Sequence, residues 1–350
     1  MFCISEKSIN LQELKERIVS FDNVLIICHT DPDPDTLGSA LGLKQIFEKL
    51  NKTAYVVCDS KVNDRICGFF EITPELDLCL CENSGFKHDY IICVDAASVN
   101  LIGKYNKYYS ENTETNEIDL VIDHHYTNSF YGKETYLDDK TSAAGEIIFN
   151  LARVLNIEID QIMAKNLYCA ITCDSGSFRY SSTTPKTMQI ASDLIATGFD
   201  FAKLNRLIYQ NKTMTQVAIE RLAYNSLKFC LNGKIAFVII TAEMKKNAGL
   251  EGVKIDGINE IPRNIEGVEV GAVIKESELG DSERERDLTS GKKIYKISLR
   301  SNEYVNVAEV AARFGGGGHM RAAGCLYEGN IDELEFELEK ILTEKIEAVL

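Results

Sequence analysis

Val24-Leu25-Ile26-Ile27-Cys28-His29-Thr30-Asp31-Pro32-Asp33-Pro34-Asp35 is the stretch from which the chain can be read outward. The apolar run Val24 to Cys28 predicts a buried strand. Thr36 to Leu50, with Leu37, Leu41, Ile46, Phe47 and Leu50 apolar, predicts a helix. One His and three Asp therefore fall in a strand-to-helix turn. In open α/β folds such a turn lies at the carboxyl edge of a parallel sheet, where ligands bind. Carboxylates this dense repel one another unless a cation holds them, and a divalent metal is the usual one. A solvated acidic turn is the plainer alternative. An EF-hand loop fits less well, because Thr36 stands where its sharp-turn Gly belongs and Gly42 where its bidentate Glu belongs.

A length of 350 residues suggests about two domains, and an apolar content of 45% supports a full core. No apolar run is long enough to span a membrane. Met1 to Lys7 lacks the basic start and apolar core of a signal peptide. The 11 cysteines include no CxxC pair, so neither a zinc ribbon nor a disulfide framework is supported, and a reducing cytoplasm is the expected location. The net charge of −15 argues against a broad basic face for long nucleic acid, while leaving room for a local anion site.

Strand-like runs recur at Val24–Cys28, Ala54–Cys58, Tyr90–Val94 and Leu120–Ile122, alternating with helical or loop segments. Ser8, then Thr141 or Ser142, Asp160 and Thr184 are the expected helix caps. The pattern predicts an α/β fold: a doubly wound parallel sheet domain at 1–200, a linker at 201–213 and a smaller α/β domain at 214–350. In the second domain a helix is expected at Thr215–Leu227, with strands at Lys234–Ile240, Val268–Lys275 and Lys293–Ser298. Asp281–Asp287 reads as a solvated hairpin loop. An amphipathic helix from Asp332 is expected to end the chain.

Asp95 follows an apolar strand directly, Asp123-His124-His125 follows another, and Asp174 ends an apolar helix. With His29, Asp33 and Asp35 these converge on one sheet edge if the topology is right. A single strand-end Asp is more often a turn residue or cap. Three of the five His, however, lie in these two motifs. An Asp- and His-rich set without Cys suits Mn²⁺ or Mg²⁺, with imidazole favouring Mn²⁺. Two such ions sharing a carboxylate would activate a water for attack on phosphorus. Further on, Gly315-Gly316-Gly317-Gly318-His319 lets backbone N–H groups approach an anion, and no Walker Lys-Ser/Thr follows. A flexible turn after the helix Val307–Arg313 is the plainer account of the glycines.

The ordered set HTDPDPD, strand-end Asp95, Asp123-His124-His125, Asp174 and the Gly-rich His319 segment resembles the DHH phosphoesterases with their C-terminal GGGH domain. The similarity covers nearly the whole chain, and the stand-alone nanoRNase/pAp phosphatase type is the nearest subgroup. Asp31 stands where members often carry Arg or Asn. The resemblance implies two divalent ions, Mn²⁺ by preference. His29, Asp33 and Asp95 would hold one, and Asp35, Asp95, His124 and Asp174 the other, with Asp95 bridging. His125 would contact the phosphate and Asp123 would orient its neighbours, which makes these two the implied catalytic pair. Gly316, Gly317, Gly318, His319 and Arg300 would bind substrate, with the active site in the cleft between the domains. The expected substrate is a short oligonucleotide or small nucleotide, with no membrane and no long duplex as partner and a homodimer left open. A cyclic or linear dinucleotide phosphodiesterase is the enzymatic alternative, and a nucleotide-sensing module the non-enzymatic one.

Overall fold

The computed structural model describes residues 7–73, 86–112, 114–255, 257–277 and 293–349, without the side chain of His319. Asp281–Asp287 lies outside the described residues, as does most of the Met1–Lys7 stretch. The chain divides into two compact units, Met1–Asn211 and Lys212–Leu350.

The first unit is built on five parallel strands: β1 (Val24–Ile27), β2 (Ala54–Val57), β3 (Tyr90–Val94), β4 (Leu120–Asp123) and β5 (Glu134–Leu137). Their order is β2-β1-β3-β4-β5. Every residue of β1 and β4 is buried, as in a sheet covered on both faces. One face carries the helices Leu11–Ser20, Pro34–Lys49, Ala144–Val154 and Gln161–Asp174, which close over Ile26, Ile92 and Ile122. The other packs Leu25, Ile91 and Val121 against Ile102 and Tyr105 of the short helical segment Val99–Tyr108. The order reverses direction at β1 and β3, and an open parallel sheet has its ligand crevice at that switch point.

Helix Pro34–Lys49 starts two residues before the expected Thr36. Asp33 caps it by accepting from the Asp35 and Thr36 N–H groups, and Pro34 takes the first-turn position, where its missing N–H costs nothing. The first helix is capped by Asn10 in a capping box with Glu13, not by Ser8, which bridges to Thr135. Neither Thr141 nor Ser142 caps the helix at Ala144; Ala143 occupies that position. Of the segment expected as linker, Phe201–Asn205 is helical and Arg206–Gln210 continues it as a wider turn, with Leu204 and Ile208 in the core.

The second unit holds a mixed six-stranded sheet of order β10-β11-β9-β8-β7-β6. Its strands are β6 (Lys228–Cys230), β7 (Ile235–Ile240), β8 (Val270–Glu276), β9 (Ile294–Ser301), β10 (Gly317–His319) and β11 (Ala322–Glu328). Among the described residues of this sheet, only β7 and β8 pair in parallel. Leu334, Leu338, Ile341, Leu342 and Ile346 of helix Ile331–Glu347 close one face. The glycine segment is not a free turn: Gly317, Gly318 and His319 pair with Gly324, Ala323 and Ala322.

Candidate metal centre

The chain leaves β1 into His29, leaves β3 into Asp95, ends β4 on Asp123 and continues into His124 and His125. Asp33 and Asp35 open the helix after β1, and Asp174 ends helix Gln161–Asp174. These elements bring eight residues to the carboxyl end of the sheet at its switch point. Three overlapping groups each place one ligand atom per residue within 4.8 Å: His29, Asp33 and Asp95; Asp35, His124 and Asp174; Asp95, His124 and His125.

Backbone carbonyls aim the imidazoles. His29 Nδ1 lies 2.8 Å from the Thr30 carbonyl, turning Nε2 toward Asp33 Oδ1 at 3.7 Å and Asp95 Oδ2 at 3.8 Å. His124 Nδ1 faces the Thr141 carbonyl at 3.4 Å, and its Nε2 lies 3.4–3.7 Å from Asp95 Oδ1, Asp35 Oδ2 and Asp174 Oδ2. Metal-binding imidazoles are commonly held in this way, by the ring nitrogen that does not bind. The Nε2-to-carboxylate separations are too long for good hydrogen bonds. Asp123 stands behind the cluster. Its Oδ1 accepts from the His124 N–H and lies 2.8 Å from His125 Nδ1, and its Oδ2 accepts from Asn128 Nδ2 at 2.6 Å.

Two observations indicate that the donor set fits a cation. Asp95 is buried, adopts a left-handed backbone (φ 56°) that a non-glycine residue rarely takes, and has an Oδ1 with no hydrogen bond. An unsatisfied buried carboxylate oxygen is costly unless something positive meets it. The electrostatics agree. Burial, then the charges of Asp35 and Asp33, push Asp95 well above the usual carboxylate range. Burial and then Asp35 push Asp174 up to about 7. Burial opposes charge on His29, yet Asp33 and Asp95 outweigh it and raise the group to about 9. Burial is likewise outweighed at His125, by Asp123, and at His124, by Asp35 and Asp174. The cluster holds protons where a divalent ion would replace them.

Asp35 is fastened from three sides. Ser39 Oγ donates to its Oδ1, Ala144 N–H donates to Oδ2 at 2.7 Å, and Gly145 N–H donates to Oδ1 at 3.0 Å. Sequence reasoning missed Ser39, Asn128 and the backbone of the 141–145 turn. Only Ser39, one helical turn after Asp35, left a readable spacing signal.

The other expected residues lie in the second unit. Arg300 on β9 and His319 on β10 share a register row through Ala322. The Arg300 guanidinium donates to the Leu299 carbonyl and lies 3.4 Å from Glu260, which also pairs with Arg263. The fold itself requires two of the three glycines. A Cβ on Gly316 would meet the Gly324 carbonyl oxygen at 2.2 Å, and Gly318 has φ 144° with Ala322 O at 2.5 Å from any Cβ. Gly317 faces open space.

The DHH family, N-terminal domain model matches residues 23–171, and the DHHA1 domain model matches residues 232–347. A probable bifunctional oligoribonuclease and PAP phosphatase NrnA from Streptococcus mutans is 30% identical over 312 residues, covering 88% of this chain and 90% of that one. The bifunctional oligoribonuclease and PAP phosphatase NrnA of Thermus thermophilus is 26% identical over 328 residues, covering 91% and 88%. A crystal structure of an exopolyphosphatase-related protein from Bacteroides fragilis shares the fold, with a TM-score of 0.80 and 22% identity over 94% of this chain and 95% of that one. No helix among the described residues is long and apolar enough to cross a membrane. With both domain models in order along it and a relative matched over nearly its full length, the chain belongs to the DHH family.

Proposed function

We propose that the protein is a metal-dependent phosphoesterase that hydrolyses phosphate esters of short oligonucleotides or small nucleotides. The observation that carries this reading is the convergence of His29, Asp33, Asp35, Asp95, His124 and Asp174 at the switch point, with an unsatisfied Asp95 oxygen at their centre. Asp95 belongs to one group with His29 and Asp33 and to another with His124 and His125, so it would be the shared ligand if two ions were held, Mn²⁺ by the chemistry of the donors. When bound, the ions supply an acidified water as nucleophile and offset the charge of the phosphoryl oxygens.

The chain's own residues do the rest. His29 and His124 are held by their Nδ1 atoms, so little rearrangement is needed to present Nε2. Asp123, anchored by Asn128, keeps His125 oriented and raises its pKa against the effect of burial, and His125 then offers an N–H to a phosphate oxygen. Arg300, His319 and Gly317 of the second unit are read as recognising the rest of the substrate. The relatives named as oligoribonuclease and PAP phosphatase support this substrate class.

The discriminating assay offers pAp, a linear dinucleotide, a cyclic dinucleotide and a 24-residue oligoribonucleotide to the purified chain with Mn²⁺. Faster turnover of pAp and the linear dinucleotide supports the proposal. Preference for the cyclic dinucleotide moves the assignment to a dinucleotide phosphodiesterase, and binding without turnover moves it to a sensing module.

A further inference from the structure

We propose that Glu146 is a positioning residue of the metal centre, setting the geometry of Asp35 and His124 through the turn that touches both. The proposal rests on reading the cluster as a metal centre. Helix Ala144–Val154 has Ala143 at its N-cap and no side chain capping it. Its first two N–H groups are taken instead by Asp35, from more than a hundred residues away in the chain. A few residues earlier, the Thr141 carbonyl faces His124 Nδ1. The 141–145 turn therefore supports two members of the Asp35, His124 and Asp174 group from behind.

Ala143, Ala144 and Gly145 have no polar side chain with which to hold that turn in shape. Glu146 does hold it. Its Oε1 accepts from the Ser142 N–H at 3.1 Å, the Ser142 hydroxyl at 2.6 Å and the Thr187 hydroxyl at 2.7 Å. Thr187 is itself locked in reciprocal hydrogen bonds with Thr184 at the start of helix Pro185–Ile195. Glu146 is 1% exposed. A Glu in a first turn gains from the helix dipole while remaining in water. Burial with three donors on one oxygen needs another reason, and the turn's two contacts with the cluster supply it.

The test is calorimetric binding of Mn²⁺ to the purified full chain, with thermal melting of the metal-free protein alongside. Glu146→Leu removes all three acceptor contacts at similar volume, and Mn²⁺ affinity is expected to fall about 10- to 100-fold. Glu146→Gln keeps an oxygen for the same donors and should recover most of that loss. Ile148→Val, a buried change in the same helix, should lower the melting temperature without moving the affinity. The proposal is overturned if Glu146→Leu binds Mn²⁺ as tightly as the native chain, or if Ile148→Val loses comparable affinity. Should Glu146→Leu fail to fold, Thr187→Val removes one donor and should weaken binding in the same direction; native affinity there overturns the proposal. A native chain that binds no divalent ion removes the metal-centre reading itself, an outcome distinct from all of these.

Discussion

Asp95 sits buried just after β3 in a left-handed conformation, grouped with His29 and Asp33 on one side and with His124 and His125 on the other. Asp95→Asn should therefore lower Mn²⁺ affinity and turnover by at least about a hundredfold, more than the loss of a merely supporting contact. The same change takes away a carboxyl whose ionised form burial, Asp35 and Asp33 all oppose, so the metal-free melting temperature should hold or rise. Near-normal turnover would refute the bridging role. The protons on the cluster give a second prediction. Asp174 is raised to about 7 and His29 to about 9, so both bind protons more tightly folded than unfolded. Metal-free stability should then fall as pH rises from 6 to 9, because the folded chain holds the extra protons. Against the opposing effect of burial, His29 lowers Asp33 and His125 lowers Asp123, and these two act with the opposite sign at acid pH. Mn²⁺ must displace the same protons, so its affinity should rise over that pH range, and calorimetry in buffers of different ionisation enthalpy should report proton release. At this scale the cluster was legible because each member stands in, or directly follows, a short polar stretch at the end of an apolar run. Asn128 and the 141–145 turn were not, since they act through a side chain and backbone groups that no pattern marks.

Helix packing sets how closely Asp35 and Asp174 approach. Gly38 lies where a Cβ would come within 2.4 Å of the Asn166 carbonyl oxygen, and Gly145 where one would come within 2.8 Å of Ala170 Cβ. Helix Gln161–Asp174 thus packs directly on helices Pro34–Lys49 and Ala144–Val154, and it ends on Asp174. Gly38→Ala should destabilise the fold by about 1–3 kcal/mol through overpacking, and should weaken metal binding as the helices part. In the second unit, Gly316→Ala should lower the melting temperature because backbone blocks it. Gly317→Ala, facing open space, should leave stability unchanged and raise KM if substrate approaches that strand closely. A raised melting temperature in Gly316→Ala, or an unchanged KM in Gly317→Ala, would count against this division of roles. The parallel strands that are apolar throughout were legible from their runs. β5, read as Glu-Thr-Tyr-Leu, and the glycine- and alanine-rich β10 and β11 were not, because their pairing comes from neighbouring strands rather than from their own periodicity.

The chain as a whole carries a net charge of −15, from which a limit on substrate length is expected. A long polyanion meets repulsion over most of such a surface and gains little counterion-release attraction. Turnover should therefore fall as oligoribonucleotides lengthen past a few residues at moderate salt. Equal or faster rates on long strands would favour a processive exonuclease. Domain order and family were legible because five motifs recur in sequence order; what each unit contributes to the substrate is not written in either motif set alone. Everything rests on catalysis by bound metal. The most direct measurement is hydrolysis of a linear diribonucleotide by the purified chain after exhaustive chelation, followed by addition of Mn²⁺. The account predicts no turnover in excess EDTA and full recovery on adding Mn²⁺, whereas undiminished turnover in EDTA would contradict it.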